Sequence, residues 1–131
     1  QLATTPEELA ALLTPLLDAG ADILHPSTRR HYRAAFPAHD PVRSLSGWTR
    51  ELTGVPVIAV GSVGLDTEHS RENMTDPVRP APVDRLVAQF AAGEFDIAAV
   101  GADPGWVNRL RDGELDQFAG YDPATALAGL N

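Results

Sequence analysis

Two pairs of residues in this sequence have the type and setting to meet a phosphate. Gly61-Ser62 follows the apolar run Val57-Ile58-Ala59-Val60, and Gly101-Ala102 follows Phe95-Asp96-Ile97-Ala98-Ala99-Val100. Runs of that kind suit strands buried on both faces of a parallel sheet. A glycine at the carboxyl end of such a strand lacks the Cβ that would hold a ligand away from the backbone. A phosphorylated cofactor is therefore one reading. The other is that both glycines simply turn the chain out of the sheet, a common use of glycine.

A second group is cationic. Arg29, Arg30, His31, Tyr32 and Arg33 form a basic and aromatic cluster within a chain whose formal net charge is −8. They follow His25, which closes the run Ala21-Asp22-Ile23-Leu24. The cluster suits either a clamp on an anionic ligand or a solvated loop paired to nearby carboxylates. Other chemistries find less support. The four histidines show no i,i+4 pairing and no carboxylates at ligand spacing, so no metal site is expected. Ser62 lacks the surrounding pattern of a nucleophile elbow. Cysteine is absent and all ten basic residues are arginine, which removes thiolate chemistry, Schiff bases and a P-loop lysine.

The elements that must carry these residues repeat three times. Gly20 leads into Ala21–His25, Gly54 into Val55–Val60, and Gly93 into Phe95–Val100, each after a helix-like stretch. A glycine at that position is the usual helix stop, because it takes positive φ without steric cost. The spacings, 34 and 39 residues, are about those of one βα unit. The first helix has Thr5 as N-cap, Pro6 at its first position, a carboxylate placed to reach back, and an apolar stripe of Leu9, Leu12, Leu13, Leu16 and Leu17. Pro15 predicts a kink there or a later start. Leu45, Trp48 and Leu52 give the second helix its stripe, and Val83, Leu86, Val87 and Phe90 the third. Asp103-Pro104 caps a last helix through Trp106, Val107 and Leu110. Two stretches lack periodicity, 27–43 and 65–82; both follow the carboxyl end of a strand, where parallel α/β folds build their sites. The second is polar enough for partial disorder to be expected.

Composition bounds the partners. With 131 residues, 44% hydrophobic and 21% charged, one domain or a piece of one is expected, without a membrane span or signal peptide. The acidic balance argues against nucleic acid and against an anionic membrane surface. A cytoplasmic protein is expected. The chain opens without methionine and runs directly into a helix, which suggests a portion of something longer.

The order of these segments resembles a known family. Ala21-Asp22-Ile23-Leu24-His25, Ser27-Thr28-Arg29-Arg30, Gly47-Trp48-Thr49-Arg50, Leu52-Thr53-Gly54, Gly61-Ser62-Val63-Gly64-Leu65 and Gly93-Glu94-Phe95-Asp96 to Val100-Gly101 are similar to the C-terminal part of bacterial NADH:flavin oxidoreductases of the old yellow enzyme family. Asp103 to Gly113 continues the likeness. The resemblance implies an α/β fold, the sixth to eighth strands of a (β/α)8 barrel, with residues 1–131 forming the C-terminal part of that single domain. It implies FMN at the carboxyl-terminal mouth, with Gly61, Ser62, Gly101 and Ala102 at the phosphate-binding turns. His25, Arg29 and Arg30 would lie on the substrate side. Hydride would pass from NADH or NADPH to the flavin and on to an activated alkene or similar acceptor.

Departures from the pattern matter as much. The family normally places an arginine after the glycine of the last strand, where this chain has Ala102; losing such a contact weakens phosphate binding by roughly 1.5 to 3 kcal/mol. About four residues before Asp103-Pro104 are missing relative to the family, and Pro26 replaces a cysteine found in close relatives. The family's catalytic residues lie on earlier strands, so no catalytic residue is expected in this chain. Three strands cannot close a barrel and would leave open edges. The expected partners are the remaining strands, on another chain or an upstream segment, or a further copy of this chain. A degenerate, non-catalytic barrel fragment serving as a binding or scaffold module is the alternative.

Overall fold

Three helix stops organise the chain, and in each a glycine takes the positive φ that the spacing predicts. In a computed structural model that describes residues 2–65, 84–99 and 112, Gly20, Gly54 and Gly93 have φ of 93°, 71° and 70°. The first helix, α1, spans Pro6–Asp18. Beyond it, Gly20 N–H donates to the Leu17 carbonyl and Ala21 N–H to that of Leu16, at 2.9 and 3.0 Å. These paired reversed bonds satisfy the last carbonyls of the helix. The third helix, α3 (Asp84–Ala91), ends the same way, with Gly93 N–H on Phe90 O and Glu94 N–H on Gln89 O. The second, α2 (Leu45–Thr53), ends with Gly54 N–H on Arg50 O at 2.8 Å.

The helix starts are equally local. Thr5 Oγ1 accepts from Glu8 N–H at 3.2 Å, and the Glu8 carboxylate reaches back to Thr4 N–H at 2.7 Å and Thr4 Oγ1 at 2.8 Å. The reach is to the residue before the cap, a small variation on the expected box. The helix starts at Pro6 and continues through Pro15, so no later start occurs. Ser44 caps α2, its hydroxyl accepting from Gly47 N–H at 3.1 Å.

The strands are parallel and short. β1 (Ile58–Ala59) pairs with β2 (Ile97–Ala98), Ile58 opposite Ile97. On its other side, bridges place Leu24 opposite Val57 and Ser27 opposite Val60, also parallel. The three segments therefore lie side by side in chain order, as three successive βα units would. β2 is less buried than its composition suggests: Ile97 is 48% exposed, and Asp96 turns its carboxylate to Val57 N–H at 2.9 Å. The same carboxylate pairs with Arg50 at 3.0 Å, and Arg50 also donates to the Gly93 carbonyl, tying the end of α2 to the turn before β2.

Two apolar clusters form the core. One gathers Val57, Ala59, Val63, Leu86 and Phe95, and the other Ala3, Leu9, Leu13, Leu24 and Phe36. Trp48 packs at the margin of the second, its ring 5.9 Å from that of Phe36, as a core role predicts. Leu45 and Trp48 of the α2 stripe pack on this second cluster, Leu52 is 36% exposed, and the buried positions of the helix are Ser46, Gly47 and Thr49. A Cβ on Gly47 would stand 3.1 Å from both Arg43 and Glu94 side chains, so a small residue lets Glu94 in. Val83 and the last expected helix lie outside the described residues, as do residues 66–82 of the second aperiodic stretch.

Two glycines with positive φ should respond differently to alanine. Nothing stands within 4 Å of a Cβ on Gly54, so Gly54→Ala meets only backbone strain, about 1 kcal/mol. A Cβ on Gly61 (φ 132°) would overlap the Thr28 carbonyl oxygen and approach its carbonyl carbon to 2.8 Å. Gly61→Ala should cost roughly 3 kcal/mol or more. Urea unfolding of the two variants checks the difference; equal losses would remove the Thr28 contact from the fold.

Candidate functional site

The carboxyl ends of the first two parallel segments are joined by backbone. Thr28 N–H and Oγ1 both reach the Val60 carbonyl, at 3.3 and 2.8 Å, and His31 N–H donates to the Gly61 carbonyl at 2.9 Å. Gly61-Ser62 and the His25–Arg30 stretch, read separately in the sequence, thus share one end of the sheet. After Gly61 the chain turns sharply. Ser62 and Gly64 have φ of 48° and 78°, Leu65 N–H returns to the Ser62 carbonyl at 3.1 Å, and Val63 and Leu65 are buried.

The space left by the missing Cβ of Gly61 is filled by Thr28 backbone. The oxygen there is an acceptor, which repels an anion. The described residues therefore fit a phosphate through charge rather than through a bare glycine. That charge comes from Arg29 and Arg33, both exposed, which form no ion pair among the described residues, and from half-buried Arg30, 6.0 Å from the Tyr32 ring centre. Within the same aperiodic stretch Arg43 meets Asp40 and Glu51. His25 is exposed. Gly101 and Ala102 lie outside the described residues.

His25, Arg29, Arg30 and Arg33 line one cavity of about 900 Å³ between α1 and this loop, with Leu9, Leu13, Leu24 and Phe36 among its apolar walls. Among the described residues no aspartate or glutamate lines it. Residues 27–43 are aperiodic but anchored. Ala34 bridges to Ser44, Ala35 N–H donates to Arg43 O at 3.1 Å, and Asp40 accepts from the amides of Val42 and Arg43.

Beneath the loop runs a polar chain that spacing alone does not reveal. His31, 6% exposed, meets Gln89 Oε1 through Nδ1 at 2.7 Å; Gln89 Nε2 donates to Glu94 Oε2 at 3.0 Å; Glu94 Oε2 also accepts from the amide and hydroxyl of Ser44. Because the Gln89 amide donates to a carboxylate, its oxygen faces His31, and Nδ1 must carry the proton. The Tyr32 ring stands edge-on to His31, and Arg85 lies 4.1 Å above Tyr32. The signal for Gln89 was its place: a polar residue one turn from Leu86, on the apolar face of a helix. Each group here holds another in place, and none is set beside a nucleophile. Among the described residues no group of three or more histidine, aspartate or glutamate side chains is arranged to hold a metal ion. Among them, too, no helix is long and apolar enough to cross a membrane.

No protein-family model, no curated protein and no solved structure matches the chain.

Burial holds the His31 imidazole below its ordinary pKa of 6.5, opposed by the bond to Gln89 and assisted by the nearby Arg85. The unfolded chain then takes up a proton that the folded one refuses. Stability should be full above pH 6.5 and fall as pH drops through the lowered folded value. The lowered carboxyls of Glu7, Glu8 and Asp40 lose their share only below their ordinary values of 4.5 and 3.8, so the upper part of the acid loss belongs to His31. In His31→Gln the slope of unfolding free energy between pH 6.5 and 4.5 should flatten; an unchanged slope would place the titrating group elsewhere.

Proposed function

We propose that this chain is part of an FMN-dependent oxidoreductase barrel, cytoplasmic, in which it supplies three βα units, a phosphate-facing turn and an arginine-bearing substrate loop. The observation that carries the reading is that the arginine-bearing loop is bonded through Thr28 and His31 to Val60 and Gly61, at one carboxyl end of parallel segments laid side by side in chain order. That end is where barrels and doubly wound sheets bind phosphate. The bacterial NADH:flavin oxidoreductases, which the sequence resembles, add the chemistry: FMN when bound would accept hydride from NADH or NADPH and deliver it to an activated alkene or similar acceptor.

The described residues have positioning roles in this scheme. Arg29 and Arg33 attract the phosphate, and charge-assisted hydrogen bonds to it hold the cofactor at the mouth. His25 and Arg30 face the acceptor's side of the same cavity. The Ser62–Leu65 turn, closed by its own return bond, would stand at the same end of the sheet as the phosphate-facing residue Gly61. The groups that move protons and bind the acceptor come from the remaining strands, carried by a partner or an upstream segment.

One observation favours the alternative of a non-catalytic binding or scaffold module. The Thr28 carbonyl already covers Gly61, so the turn gives up the close backbone approach that a phosphate cradle exploits.

Titration of the chain with FMN, followed by quenching of flavin fluorescence, separates the two. The flavin reading expects saturable quenching, weakened roughly tenfold or more when Arg29 and Arg33 are both changed to alanine. No quenching, with or without a complementing barrel fragment, selects the scaffold.

A further inference from the structure

One edge of the sheet keeps its hydrogen-bonding groups unused. Leu24 spends both of its backbone groups on the β1 side, donating to Pro56 O at 3.0 Å and accepting from Ile58 N–H at 2.9 Å, and Thr28 N–H turns the same way to Val60. Alternate residues of a strand address opposite neighbours, so His25 and Ser27 direct their N–H and C=O groups outward. Neither has a backbone partner among the described residues. Pro26 sits at an inward position, and its missing N–H costs the outward edge nothing. Proteins that guard an edge put proline or lysine on the outward positions; here those positions keep both donors.

The surroundings of this edge are apolar along its length and basic at its end. The cavity beside it has Leu24 and Phe36 in its floor, while Leu12 and Leu16 of α1 remain 42% and 48% exposed on its wall. Arg29, Arg30 and Arg33 rim the carboxyl end, and among the described residues no acidic side chain lines the cavity although the chain as a whole is acidic.

We propose that the outward edge of Ile23–Ser27 is a docking site for an extended segment of a partner polypeptide, apolar along its length and acidic at the end that meets the arginines. The unpaired donors and acceptors at His25 and Ser27 select a peptide backbone, which a fatty anion cannot imitate, by the mode in which a strand is added to a sheet edge. The leucines take its inward side chains, and the guanidinium groups take its carboxylates. This deepens the barrel reading and rests on the same open sheet, but it involves no flavin. A chain that takes the peptide and not FMN keeps the docking site and loses the flavin reading.

The probe is a fluorescein-labelled peptide of alternating valine and threonine ending in three aspartates, with binding to the intact chain read by anisotropy. Saturable binding is expected. N-methylation of one alternate set of its amides should weaken it roughly tenfold or more, and of the other set hardly at all. Leu16→Asp should weaken binding by a similar factor, and joint Arg29→Glu and Arg33→Glu should shift preference to a lysine-ended peptide. Circular dichroism of each variant confirms that the fold is kept. No saturable binding, or equal effects of both N-methylated sets, would overturn the proposal. So would laurate binding that Leu16→Asp abolishes in the absence of peptide binding, or self-association abolished by the same variant, which assign the groove to a small amphipathic anion or to a second copy.

Discussion

The close passage of Thr28 over Gly61 is the contact on which the rest of this structure depends. It lets the backbone after Leu24 stay in register with Val57–Gly61 for the whole length of the pairing, since any side chain at position 61 would push the two apart. From that register follow the burial of Leu24 and Val57, the delivery of His31 to Gln89, and the meeting of the Thr28 and His31 backbone with Val60 and Gly61. A glycine that the sequence offers for ligand chemistry also meets a packing requirement between two strands.

The polar chain from His31 to Ser44 is the second layer of that design. Four groups from four places in the sequence form it, His31 of a loop, Ser44 of a helix cap, Gln89 of a helix face and Glu94 of a turn. Each is satisfied by the next, which is the condition under which buried polar groups specify a fold instead of weakening it. The Arg50–Asp96 pair and the Asp96 bond to Val57 N–H do similar work at the opposite end, where β2 would otherwise be held by few bonds.

Much of this was legible because it is local. The cap at Thr5, the stops at Gly20, Gly54 and Gly93, and the succession of helix and parallel segment are all dictated within a few residues. What sequence could not show is non-local. Nothing near Gly61 announces that Thr28, more than thirty residues earlier, will occupy its bare side, and nothing near Gln89 announces a histidine from another loop. The stripe of α2 gives only part of what that helix buries for a related reason: Leu45 and Trp48 pack on the core, while Gly47 is buried against Arg43 and Glu94, and Glu94 comes from a distant part of the sequence. For the candidate site, the sequence offers the arginine cluster and Gly61-Ser62 as two separate features, and only the pairing of Thr28 and His31 with Val60 and Gly61 brings their backbones to one end of the sheet.

Amide hydrogen exchange read residue by residue tests the central register most directly. Leu24, Thr28, His31 and Ile58 donate across the first pair of segments and should exchange slowly, while His25 and Ser27 on the outward edge should exchange at nearly the rate of an open chain. Fast exchange at Leu24, Thr28 and His31, or protection at His25 and Ser27, would contradict the register and every placement that depends on it.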